Sequence, residues 1–151
     1  MKTKNSINIV NRKAKFDYIL EREEIAGIQL LGSEVKSIRL GSVNMTDSFC
    51  LFENGELWIR NIHISSNGGP FSHDPTRKRK LLLKKVELKK LEKKLVKGYT
   101  IIPSRIFLSD KNLIKVAICL AKGKKLFDKR ESIKERDIKL EMAREKKLNI
   151  F

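Results

Sequence analysis

Short apolar runs broken by turn residues fill most of the chain between residues 12 and 121, and most of them are too brief for anything but strands. Phe16-Asp17-Tyr18-Ile19-Leu20 and Ser48-Phe49-Cys50-Leu51-Phe52 combine aromatic and branched side chains. The second run is followed by Asn54-Gly55 and then by Glu56-Leu57-Trp58-Ile59-Arg60-Asn61-Ile62. Asn-Gly between two such runs predicts a hairpin, because both residues tolerate positive φ. Residues 100–108 and 113–120 predict two more strands, joined by Ser109-Asp110-Lys111-Asn112. Residues 32–41 break the pattern and predict a short helix, with Ser33 as its cap, Val35 and Ile38 on one face, and Gly41 at its end.

Residues 63–74 contain Ser65-Ser66-Asn67-Gly68-Gly69-Pro70 and predict a loop. Asp74-Pro75 then predicts the start of a long helix, since Asp caps well and Pro suits the first turn. Leu81, Leu88, Leu91 and Leu95 recur at helical spacing, and Gly98 would stop the run. Five or six short strands with one long helix inserted late predict a mainly β fold with helices, a small OB-type Greek-key β-barrel. From Lys122 onward apolar residues thin out. Residues 131–148 alternate charges at helical spacing, with Ile133, Ile138, Leu140, Met142 and Leu148 tracing only a ragged stripe. That segment predicts a tail that is disordered alone and helical when docked. The expected division is a barrel at 1–121, with a flexible extreme N-terminus, and a basic tail at 122–151.

Composition narrows the function. The chain has 151 residues, enough for one ordinary domain, and its 34 Lys and Arg against 18 Asp and Glu leave a formal charge of +16. A charge of this size on so small a body points to a polyanionic partner, and nucleic acid is the commonest. The opening Met1-Lys2-Thr3-Lys4 has no apolar run behind it, and residues 25–31, the longest apolar stretch, are interrupted by Gln29. Neither a secretory signal nor a membrane span is expected, and the protein is expected to be cytoplasmic. Cys50 and Cys119 stand far apart in apolar surroundings, as core residues do.

The charge is concentrated. Eleven basic residues lie between Arg77 and Lys97 with only Glu87 and Glu92 opposing them, and a second basic block runs from Lys122 to Lys147. A membrane-surface helix would need bulky apolar residues opposite its cations, but here the leucines are needed to roof the barrel. Phosphate contact is favoured. His63 and His73 are the only histidines, too few for a metal site without further ligands, and no catalytic set is suggested. No enzyme, cofactor or metal is expected. Trp58, Phe52, Tyr18 and Phe16 are either barrel filling or base-stacking platforms, and core packing is favoured for Trp58 and Phe52. Phe127, among Lys124, Lys125, Lys129 and Arg130, suits stacking on an unpaired base while the cations hold phosphates.

Several blocks together resemble the SsrA-binding protein family, SmpB. They are Asn11-Arg12-Lys13-Ala14, Gly32-Ser33-Glu34-Val35-Lys36-Ser37-Ile38-Arg39, His73-Asp74-Pro75-Thr76-Arg77-Lys78-Arg79-Lys80, Gly123-Lys124-Lys125 with Asp128-Lys129-Arg130, and Ile133-Lys134-Glu135-Arg136. The resemblance implies a trans-translation factor: an OB-type barrel that binds the tRNA-like part of transfer-messenger RNA (tmRNA) and delivers it to stalled ribosomes. It also implies that the tail enters the empty mRNA channel beside small-subunit rRNA and probes the decoding centre. By the same resemblance Asn11, Arg12, Lys13, Glu34, Lys36 and Arg39 fall where the family contacts tmRNA. Lys122, Gly123, Lys124, Lys125, Phe127, Asp128, Lys129, Arg130 and Arg136 fall on the ribosome-reading tail. Lys and Arg would neutralise phosphates, while Glu34 can only accept, so it must meet a base or ribose donor or orient a neighbouring cation.

Three positions depart from the family pattern. Phe16 and Phe127 stand where His is common, which keeps stacking and loses titration. Ile138 stands where Trp is frequent. The expected protein is a monomeric RNA-binding adaptor without a membrane partner. The rival reading is a basic ribosomal-type structural protein permanently built into the ribosome.

Overall fold

The computed structural model describes residues 7–66, 69, 72–124 and 126–148, with side chains in the last helix described only at 130 and 133–144. In chain order come β1 (Asn8–Val10), α1 (Arg12–Asp17), β2 (Tyr18–Ile28), α2 (Gly32–Arg39), β3 (Val43–Asn44), β4 (Phe49–Glu53) and β5 (Glu56–Arg60). They are followed by β6 (His63–Ile64), β7 (Arg79–Leu82), α3 (Lys85–Lys94), β8 (Tyr99–Leu108), β9 (Ile114–Gly123) and α4 (Leu126–Leu148).

The mainly β architecture expected from the sequence is present as a closed ring of antiparallel strands. Its order is β8-β4-β5-β7-β2-β9, and β9 pairs back onto β8 to complete it. The ring is uneven. β2 and β9 pair from Tyr18↔Gly123 to Gly27↔Lys115, whereas β4 meets β8 only at Cys50↔Ile101. Beyond that point β1 takes over the same edge of β8, from Val10↔Arg105 to Asn8↔Phe107. Pro103 is tolerated inside β8 because it sits at a bulge, where a missing N–H breaks no ladder. A small second sheet pairs β3 with β6.

Alternation along the strands fills the ring. In β5, Leu57 and Ile59 are fully buried while Glu56, Trp58 and Arg60 lie on the other face. Ile38, Ile62, Ile64, Leu81, Ile101, Ile106, Val116 and Ile118 complete the same core, and Leu88 and Leu91 of α3, with Leu95 at its C-cap, close over it. Cys50 and Cys119 are free and buried, as expected, and burial pushes the Cys50 thiol up. The Asn54-Gly55 hairpin forms with both residues at positive φ (52° and 78°).

Several expected elements are corrected. The long helix opened by Asp74-Pro75 does not exist. Asp74 instead caps a turn, accepting from the Thr76 N–H at 3.1 Å, and residues 79–82 form a strand. Arg79 and Leu81 point inward there, with Lys80 and Leu82 outward. The spacing from Leu81 to Leu88 imitates a helix face, but the buried stripe that belongs to α3 starts only at Leu88. The run at Phe16 is likewise helical up to Asp17, because the Asn11 side chain caps α1 by accepting from the Ala14 N–H at 3.2 Å. Residues 63–64, expected in a loop, pair with β3. Ser33 does not cap α2: the N-cap is Leu31, whose N–H is taken by Glu34 at 2.8 Å. Trp58 is half-buried on the outer face, with the Lys78 ammonium 4.7 Å above its ring, and is not core filling. β9 runs through Gly123, two residues past the expected boundary of the barrel.

Candidate nucleic-acid interface

Two short basic helices stand outside the ring, and buried polar groups hold both in place. Asn11 is almost wholly buried. Besides capping α1, its amide donates to the Pro103 carbonyl at 2.9 Å and to the Met45 carbonyl at 3.3 Å, while its backbone N–H donates to Ser104 at 2.8 Å. The β8 bulge thus supplies the carbonyls that fix the start of α1. Arg12 and Lys13 follow on the exposed side. Lys13 lies 2.8 Å from Asp47, whose hydrogen bond and charge raise the lysine above its ordinary value. Arg12 makes no ion pair among the described residues. A recess of about 290 Å³ opens beside α1, lined by Asn11, Lys13, Tyr18, Asp47, Phe49 and Thr100 among others.

Glu34 anchors α2 from inside the protein. Its side chain has no exposed surface, and its carboxylate accepts from Leu31 N–H, Arg77 and Arg79, the last also wholly buried. Burial pushes the Glu34 carboxyl up, but the Leu31 N–H and the two guanidiniums outweigh it and hold it below the ordinary carboxylate range. Arg79 spends its remaining donors on the Ile62 carbonyl at 3.1 Å and the Pro75 carbonyl at 3.2 Å. Beside this cluster the Ser33 hydroxyl meets His73 Nδ1 at 2.8 Å, and His73 Nε2 lies 2.9 Å from the Ile64 carbonyl. A carbonyl can only accept, so Nε2 carries a proton, and where Nδ1 carries none it accepts from the Ser33 hydroxyl. Lys36 and Arg39 project from the helix so secured, both exposed and without an ion pair among the described residues.

The structure therefore sorts the residues that the resemblance assigned to tmRNA. Arg12, Lys13, Lys36 and Arg39 are on the surface, whereas Asn11 and Glu34 are inside. Of the two roles open to Glu34, orienting neighbouring cations is the one its surroundings support. The sequence does not identify Arg77 and Arg79 as its partners, because both fall in the basic run that predicts a helix. Their spacing with Leu81, every second residue, is the strand signal that would have separated them.

On the tail side, Lys122 is exposed, with its ammonium 5.9 Å from the Tyr99 ring, and Gly123 ends β9 opposite Tyr18. The Lys124 N–H donates to the Asp17 carbonyl at 2.9 Å, tying the root of the tail to the end of α1. Arg130 and Arg136 are exposed on α4. Lys125 and the side chains of Phe127, Asp128 and Lys129 lie outside the described residues. Ile133, Ile138, Leu140 and Met142 are all exposed, so the apolar positions described on α4 find no place in the body of the protein. Among the described residues no group of three or more His, Cys, Asp or Glu is placed to hold a metal ion, and no helix is long and apolar enough to cross a membrane.

The SmpB protein family model matches residues 8–148. The SsrA-binding protein of Christiangramia forsetii is 52% identical over 144 residues, covering 93% of this chain and 92% of its own. That of Bacteroides thetaiotaomicron is 49% identical, covering 92% and 95%. A solved structure described as "tmRNA-SmpB: a journey to the center of the bacterial ribosome" superposes with a TM-score of 0.69 at 42% identity, covering 84% of this chain and 94% of the other.

Proposed function

The chain belongs to the SmpB protein family, and on that premise we propose that its two basic surfaces divide the work of ribosome rescue. It is an RNA-binding adaptor that binds tmRNA and brings it to stalled ribosomes for trans-translation. It works by binding and not by catalysis. Arg12, Lys13, Lys36 and Arg39 contact the tRNA-like part of tmRNA, while Asn11 and Glu34 hold the helices that present them. The tail, from Lys122 through Arg136, probes the empty mRNA channel and the decoding centre in the cytoplasm. There Phe127 stacks on a base while Lys124, Lys125, Lys129 and Arg130 meet phosphates and Asp128 accepts from a donor.

The observation that carries this reading is that α2 is pinned by a buried carboxylate between two arginines, yet offers Lys36 and Arg39 unpaired to solvent. Holding charges rigidly before a ligand arrives lowers the ordering cost of binding it. The exposed apolar residues of α4 support a tail that is buried only against a partner.

Truncation after Lys124 tests the division, since β9 and its pairing with β2 are then kept whole. The truncated protein is expected to bind tmRNA as the full chain does and to lose peptide tagging on stalled ribosomes. Loss of tmRNA binding would overturn the division. A permanent ribosomal component would instead sediment with every ribosome, irrespective of tmRNA.

A further inference from the structure

α3 is the most basic element of the body, and neither surface described above uses it. Its wheel is sharply divided. Leu88 and Leu91, with Leu95 just beyond, pack on the core, Glu87 and Glu92 flank them, and the opposite side carries Lys85, Lys89, Lys90, Lys93 and Lys94 around the exposed Val86. All five lysines are exposed, and none makes an ion pair among the described residues. A helix that merely needs solubility would mix signs along its outer rows. Here Lys85, Lys89 and Lys93 repeat one turn apart and repel one another. Lys84 and Lys85 also stand at the N-terminal end, where the helix dipole disfavours cations and favours anions. Glu87 in the first turn offsets part of the second cost, and Lys93 and Lys94 suit the last turn, so it is chiefly the like-charged row that an anionic partner relieves.

We propose that the outer face of α3 is a third RNA-contacting surface and that it docks on ribosomal RNA. The proposal rests on the reading of the protein as a ribosome-rescue adaptor. Placement favours ribosomal RNA over tmRNA. The chain leaving α3 passes the exposed Lys97 and enters β8 at Tyr99, which pairs with Lys122 and carries that ammonium near its ring. The lysine face therefore runs on into the root of the tail, and the RNA that receives the tail lies within reach. Lys36 and Arg39 stand apart on α2, which packs against β6, and Arg12 and Lys13 begin α1, at the opposite end from the Asp17 carbonyl that meets the tail root.

The test replaces Lys85, Lys89, Lys90 and Lys93 together by Gln in the full chain. All four are exposed and Gln is as good a helix former, so the fold is expected to stay intact, as thermal melting would verify. Binding to purified ribosomes with an empty mRNA channel and to free tmRNA is measured over a series of salt concentrations. Ribosome affinity is expected to fall about tenfold or more, with a log–log salt slope shallower by about 3 for four lost phosphate contacts. Affinity for tmRNA is expected to stay within about twofold, and the corresponding four-Arg variant to bind ribosomes as the original does. Unchanged ribosome affinity and slope would overturn the proposal. So would a loss confined to tmRNA, which would make tmRNA the occupant. An original protein that binds ribosomes but not tmRNA would sink the tmRNA reading while leaving this comparison intact.

Discussion

Replacing Glu34 by Gln isolates the buried cluster beneath α2. The substitution keeps the volume and one carbonyl oxygen, which can still accept from the Leu31 N–H. It removes the negative charge that faces Arg77 and Arg79. Arg77 is 33% exposed and can turn to water, but the Arg79 side chain is 0% exposed and cannot. An uncompensated buried guanidinium costs roughly 3–5 kcal/mol, softened here by the Ile62, Asp74 and Pro75 carbonyls that Arg79 keeps. For a chain of this size that lowers Tm by roughly 6–20 °C. A double variant, Glu34→Gln with Arg79→Met, removes both charges and is expected to cost at least about 1 kcal/mol less than the sum of the two single changes. The assay is urea unfolding beside tmRNA binding for the same proteins. Binding is expected to weaken in proportion to the loss of an ordered α2 and to recover partly on cooling. Full stability with abolished tmRNA binding would refute this reasoning, because it would mean that the carboxylate touches RNA directly.

The Glu34 carboxyl is held below its ordinary value, so its stabilisation is complete above about pH 4.3 and is lost as pH falls towards the folded-state value. The gap in Tm between the original and the Glu34→Gln protein should therefore shrink from pH 5 towards pH 3, and a gap that widened on acidification would contradict the assigned shift. Gly55→Ala places a side chain at φ 78° and should cost about 1–2 kcal/mol in urea unfolding without altering tmRNA affinity.

What the sequence disclosed depended on how local the determinant was. The Asn54-Gly55 hairpin and the strands β8 and β9 were readable because each turn sits inside its own pair of runs. Residues 74–84 imitate a helix because Leu81 lies one heptad before Leu88, and only pairing with β5 and β2 makes residues 79–82 a strand. α1 was missed because its cap is a side chain also tied to Met45 and Pro103, far along the chain. The resemblance marked Glu34, but its partners lie 43 and 45 positions away, so nothing near it announced a buried ion cluster. Lys36 and Arg39 are likewise marked only by the resemblance, because an exposed cation needs no partner in the fold and leaves no trace in the pattern.

The long seam between β2 and β9 has a kinetic side. Tyr18 waits for Gly123, and Gly27 for Lys115, so the strand that closes the ring is the last one synthesised. Contacts between residues roughly a hundred positions apart make folding slow and leave little native structure to form early. A chain ended before residue 114 lacks β9 altogether, which leaves β2 unpaired over nearly its whole length and β8 without its hairpin mate. A message broken before the codon for residue 114 therefore yields an open, unfinished ring and no adaptor that could compete for tmRNA.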